Sequence, residues 1–136
     1  MSEKKKNICK GKTVLLVDDN IDLLTQIKNY LETLGMKVTT AESQADAEKL
    51  IAENDFNLAI FDLVLEHYDS GFILGYWAKK KNPAIPVIMI TSVTSKTGIQ
   101  FDAASEDARS WAKADVILDK DIRFEQLERE IRHLLK

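Results

Sequence analysis

The sequence predicts an α/β fold: five β–α repeats on a parallel sheet, with helices on both faces. Two observations carry this. Short apolar, β-branched-rich runs alternate five times with segments whose apolar residues recur at helical spacing. Val14–Val17 is continuously apolar rather than alternating, as in a parallel strand covered on both sides. Strand–helix repetition of this kind implies right-handed crossovers.

The first strand, Val14–Val17, leads into a helix with Ile21, Leu24, Ile27, Leu31 and Leu34 on one face and Gly35 as its C′ residue. "MKVTTA" is a short second strand. Ser43 caps a helix carrying Ala47, Leu50 and Ile51. Phe56–Phe61 is the third strand. Ser70 opens a helix ending in Lys79–Lys81, cations suited to the negative end of the helix dipole. Pro83 and Pro86 bracket a loop before the fourth strand, Val87–Thr91. Ser105–Lys113 is helical, Asp115–Leu118 is the fifth strand, and Phe124–Leu135 is an amphipathic helix. Trp77 is expected to be at least half buried as core, and Trp111 is also read as core.

Bulk properties bound the function. The 136 residues fit one domain with a real core, and 45% hydrophobic with 30% charged residues is ordinary for a globular protein. Net charge −3 gives no sign of general nucleic-acid affinity. Lys4, Lys5, Lys6, Lys10 and Lys12 cluster at the N-terminus and are read as a flexible basic tail over residues 1–11, ahead of one domain at 12–136. Cys9 excludes an internal disulfide, suits a reducing compartment and is assigned no role. With no membrane-length apolar run and no signal-peptide pattern, the expectation is a cytoplasmic protein without membrane insertion.

In open parallel sheets, ligands bind beyond the C-terminal ends of the strands. Asp18 and Asp19 end the first strand, Asp62 the third, Thr91 and Ser92 the fourth, and Asp119, Lys120 and Asp121 the fifth. Carboxylates brought together repel unless a cation neutralises them. Oxygen-only ligands favour a hard ion, chiefly Mg²⁺. Asp62, oriented and partly desolvated, can act as a nucleophile toward phosphorus, with a cation and a lysine neutralising the phosphoryl charge. For the acid pair alone, helix capping by Asp19 or Asn20 is an equal alternative.

"VLLVDDN", "AIFDLVLE", "VIMITS" and "ADVILDK" occur in the order of the receiver domains of two-component response regulators, and the chain resembles that family over about Lys12–Leu135. The resemblance implies a (βα)₅ flavodoxin-like fold with strand order 2-1-3-4-5. It implies a signalling switch that catalyses only its own aspartyl phosphorylation and dephosphorylation. The donor would be a histidine kinase or phosphotransfer protein. Asp62 would be the phosphoacceptor. Asp19 would bind Mg²⁺ directly, Asp18 would assist through water, and the Val64 backbone carbonyl would be a further ligand. Thr91 would be the switch hydroxyl and Lys120 the phosphate partner.

The change would pass through the fourth helical segment, the fifth strand and the C-terminal helix to a downstream protein of unknown identity. A phosphorylation-dependent homodimer is compatible with this, and no direct nucleic-acid contact is implied.

Four positions depart from the family pattern. Asp121 stands where a cis proline is usual; a non-proline cis bond costs ~2.5–4 kcal/mol, which argues for a trans bond and a reshaped loop. Ile117 replaces the switch aromatic. The loop after Asp62 lacks its proline, carries Glu66, His67 and Tyr68, and has Gly71 one residue late. Lys120 lies 29 positions after Thr91, a longer interval than is typical.

These departures leave an alternative, a degenerate receiver acting as a phosphorylation-independent binding module. A haloacid-dehalogenase-type hydrolase would need a second Asp at position 64, which is Val. A flavin-binding domain is disfavoured by the acidic end of the first strand.

Overall fold

The structure is a computed structural model, and it describes residues 8–62, 70–91, 114–119 and 123–135. Five strands, β1 (Thr13–Val17), β2 (Lys37–Ala41), β3 (Leu58–Asp62), β4 (Val87–Thr91) and β5 (Val116–Asp119), form one sheet in the order β2-β1-β3-β4-β5. Every pairing is parallel. Four helices are described: α1 (Ile21–Thr33), α2 (Gln44–Glu53), α3 (Ser70–Lys81) and α4 (Phe124–Leu134). The helix expected at 105–113 lies outside the described residues.

The continuous apolar runs are explained by two cores, one on each face. Successive strand side chains point to opposite faces. Val14 and Leu16, with Leu58, Ile60, Ile88 and Ile90, pack against Leu24, Ile27 and Leu31 of α1 and Leu127 and Ile131 of α4. Leu15 and Val17, with Ala59, Phe61, Val87 and Met89, pack against Ala47 and Ile51 of α2 and Leu74 and Ala78 of α3. Ile117, at the expected aromatic position, is buried in this second core.

Helix ends follow local chemistry. Asn20 caps α1, its side chain accepting from Leu23 N at 3.2 Å. Ser43 caps α2, accepting from Asp46 N at 3.2 Å. Gly35 ends α1 at φ +89°, a conformation costly for other residues, and a Cβ there would meet Lys10 Cα at 3.1 Å.

That contact belongs to a segment whose packing differs from the tail expected over residues 1–11. From residue 8 the chain is docked on the domain. Gly11 N donates to Gly35 O at 2.8 Å, Lys12 N to Cys9 O at 3.1 Å and Lys37 N to Lys12 O at 2.8 Å. Cys9 is 0% exposed within the α1–α4 core, and burial is the main influence pushing its thiol pKa up. The apolar Ile8 and Cys9 among the lysines supply the buried surface.

The lysines closing α3 do more than offset its dipole. Lys81 Nζ donates to the carbonyls of Ile51, Ala52 and Asn54 at 2.8, 3.1 and 2.7 Å, capping α2. Lys79 pairs with Asp115 at 2.9 Å. Asp115 also accepts from Val87 N at 2.8 Å, tying α3 to the entries of β4 and β5.

Candidate functional site

Register brings the strand-end residues together. Val17 lies beside Phe61, so Asp18 and Asp62 leave their strands at the same level. Asp62 lies beside Ile90, and Thr91 beside Asp119. The carboxylates of Asp18, Asp19 and Asp62 each offer an oxygen, and these oxygens lie within 4.8 Å of one another. Asp18 is 2% exposed, Asp62 3% and Thr91 5%, whereas Asp19 faces solvent.

Cap and site divide between neighbouring residues. Asn20 takes the capping role. Asp18 accepts from Asn20 N at 2.8 Å, a short turn that aims the chain into α1. Asp19 is left with its carboxylate toward solvent beside two buried ones. The capping alternative for the acid pair thus belongs to Asn20.

The donor set fits a hard divalent cation. It contains only carboxylate oxygens, two from buried residues, and burying such charge costs several kcal/mol unless it is compensated. Mg²⁺ typically takes one or two carboxylates with waters and phosphate oxygens, so an open, solvent-facing third acid suits it. Val64 and Lys120, the other expected site residues, lie outside the described residues, as do Ser92 and Asp121. Glu66, His67, Tyr68 and Trp111 lie outside them too. Among the expected site residues, the described structure brings together Asp18, Asp19 and Asp62 and places Thr91 at the same sheet edge.

An exposed apolar side chain was not anticipated beside this site. Ile21, one residue past the cap, is 49% exposed at the start of α1. Its place in the apolar repeat suggested core; as the first residue of α1 it stands about a turn before Leu24, the first buried residue of that helix.

A five-stranded parallel sheet with an acidic cluster at its C-terminal edge is the architecture of a signalling receiver, and the comparisons identify the family. The model for the response regulator receiver domain matches residues 14–132, so this chain belongs to that family. The transcriptional regulatory protein ZraR of Salmonella typhimurium is 30% identical over 122 residues, 88% of this chain and 26% of that protein. GltR of Pseudomonas aeruginosa, also named a transcriptional regulatory protein, is 32% identical over 84 residues, 60% of this chain and 34% of that protein. The chain therefore spans about a quarter to a third of those two relatives. The CheY-like receiver domain protein of Methanospirillum hungatei superposes with a TM-score of 0.76 at 28% identity, covering 93% of this chain and 94% of that one. Receiver domains are signalling switches of two-component systems rather than conventional enzymes. No helix among the described residues is long and apolar enough to cross a membrane.

Proposed function

We propose that this receiver is a phosphorylation switch in which Asp62 accepts a phosphoryl group from the phosphohistidine of a kinase or phosphotransfer protein. The convergence of three carboxylate oxygens within 4.8 Å around a buried strand-end Asp62 carries the reading. An Asp62 oxygen attacks phosphorus as the P–N bond to the donor imidazole breaks. The electron pair of that bond leaves on the imidazole, giving an acyl phosphate on Asp62. Asp18, Asp19 and Asp62, with the Val64 carbonyl, would hold Mg²⁺, which when bound neutralises charge on the phosphoryl oxygens.

Thr91, at the end of β4, donates its hydroxyl to a phosphoryl oxygen, and Lys120 pairs with another. Modification adds about −1.5 to −2 charge at the sheet edge, enough to bias loop arrangements there. A downstream protein reads the change; the naming of two relatives as transcriptional regulators supports an output of that kind in a longer pathway. Exposed Ile21, beside the site, offers the donor protein an apolar contact.

The test is incubation with acetyl phosphate and Mg²⁺ followed by intact-mass measurement. The wild-type chain gains one phosphoryl group and Asp62→Asn gains none. Asp19→Ala loses the Mg²⁺ dependence while keeping its melting temperature. Asn20→Ala does the reverse, losing about 1 kcal/mol of stability with the cap. No mass gain in the wild type, or a gain retained in Asp62→Asn, removes the reading.

A further inference from the structure

We propose that two copies of this chain associate through the outward face of α2 and α3, remote from the phosphorylation chemistry. α3 presents two aromatic rings to solvent, Tyr76 at 47% and Trp77 at 43% exposure. They meet edge to face at 5.3 Å, and Lys80 Nζ lies 5.6 Å from one ring centroid and 5.5 Å from the other. Next to them is a groove of about 390 Å³ lined by Glu48, Ile51, Ala52, Trp77, Lys80 and Lys81.

The charges in this groove are ordered. Both helices follow strands of a parallel sheet and pack on the same face, so they run side by side in one direction. Glu48 lies one helical turn, ~6 Å, before Ala52. Lys81 marks the other end, where it binds the terminal carbonyls of α2. The groove is therefore acidic toward the start of α2 and basic toward the end of α3, with the apolar Ile51, Ala52 and Trp77 between.

Such an arrangement is complementary to itself. A two-fold axis lying in the interface and passing midway between Glu48 and Lys80 exchanges those two positions, so each Glu48 meets the partner's Lys80 while the apolar residues of the groove meet their own copies near the axis. Symmetric dimers need this kind of self-complementary patch.

The neighbouring cations do not compete for the same role. Lys79 is engaged by Asp115 and Lys81 by the α2 carbonyls, with Asp55 at 3.7 Å. Among the described residues, Lys80 contacts only the two rings, and Glu48 accepts from Gln44 at 2.8 Å without a cation partner. Exposed Trp and Tyr rings are the residue types enriched at interface centres, and Lys80 and Glu48 would sit toward the rim, where charge is usual.

Sedimentation velocity of the full chain over a concentration series tests this. The wild type forms a reversible dimer. Glu48→Lys and Lys80→Glu each abolish it alone, because both contacts become like-charged. Mixing the two variants restores a heterodimer, because both contacts are again opposite. Trp77→Ala weakens association at least about tenfold. Should a charge reversal unfold the chain, Glu48→Gln and Lys80→Gln replace it and each weakens the dimer. A monomer at every concentration, a dimer indifferent to both charge variants, or a mixture that stays monomeric overturns the proposal. Asp62→Asn associates like the wild type, so failure of the phosphoacceptor assignment would leave this result standing.

Discussion

The two faces of the sheet solve the same packing problem and leave different surfaces. Among the described residues, each buries one set of alternate strand residues under two helices. On the α1–α4 face the partly exposed groups also bind one another. Tyr30 stacks on Phe124 with centroids 4.9 Å apart, and its hydroxyl donates to Glu128, which accepts from Arg132 Nε at 2.7 Å. On the α2–α3 face, Lys81 caps a neighbouring helix, but Tyr76 and Trp77 turn outward. Folding requires both cores, yet it does not require aromatic surface in water. The first face has spent its aromatic surface on holding α4 in place, and the second has kept it available.

The largest effect that sharpens this contrast is in the α1–α4 core. Leu127 is 0% exposed between α4 and the sheet. Leu127→Ala should cost about 2–5 kcal/mol, read as a lowered denaturant midpoint at unchanged slope. A loss below 1 kcal/mol would mean that α4 is docked chiefly by its polar contacts.

A smaller effect addresses those polar contacts. The hydrogen bond to Glu128 is the main influence raising the Tyr30 pKa to about 12, and the same bond, then Arg132, lowers that of Glu128. For Tyr30, the raised folded pKa means that stabilisation is complete below the unfolded value near 10 and is lost as pH rises through about 12. For Glu128, the lowered folded pKa gives stabilisation above the ordinary carboxylate range, lost as pH falls through the folded value. Tyr30→Phe should cost about 1 kcal/mol at neutral pH, since both groups are partly solvated, and should flatten the alkaline fall in melting temperature. An unchanged alkaline slope in Tyr30→Phe would detach the tyrosine from α4 docking.

Much of this architecture is legible in sequence, for reasons that also mark where legibility stops. β4 was read at its observed bounds because a buried parallel strand is apolar without interruption. β3 begins two residues later than expected, at Leu58. Asn57 instead accepts from Thr13 N and Oγ1 at 2.9 and 3.1 Å, side-chain bonding that no periodicity records. Asp18, Asp19 and Asp62 were legible because strand ends in a parallel sheet share an edge.

Two placements depend on contacts that the sequence does not display. Cys9 was hidden among lysines, and its burial comes from a turn fixed by Gly11 and Gly35 at positive φ. Trp77, expected to be at least half buried as core, is 43% exposed, so it is just over half covered but stands outside both core clusters. α3 carries Phe72, Ile73, Leu74, Tyr76 and Trp77 almost around its circumference, so the sequence contains no single stripe to bury. The docking of α3 against the sheet and α2 decides that Leu74 and Ala78 face inward.

The smallest stability effect is expected at that same residue, and it gives the contrast its clearest test. Trp77 packs beside the Ile51 groove, but the fully buried side chains beneath it come from other residues. At protein concentrations too low for association, Trp77→Ala should change unfolding free energy by less than about 1 kcal/mol, well below Leu127→Ala. A loss comparable to Leu127→Ala would make Trp77 a structural residue, and the α2–α3 face would then differ from the α1–α4 face only in how much of its core shows. A near-neutral melt would mean that a half-exposed tryptophan persists without contributing much to the fold, which is the condition for its surface to serve a contact outside the monomer.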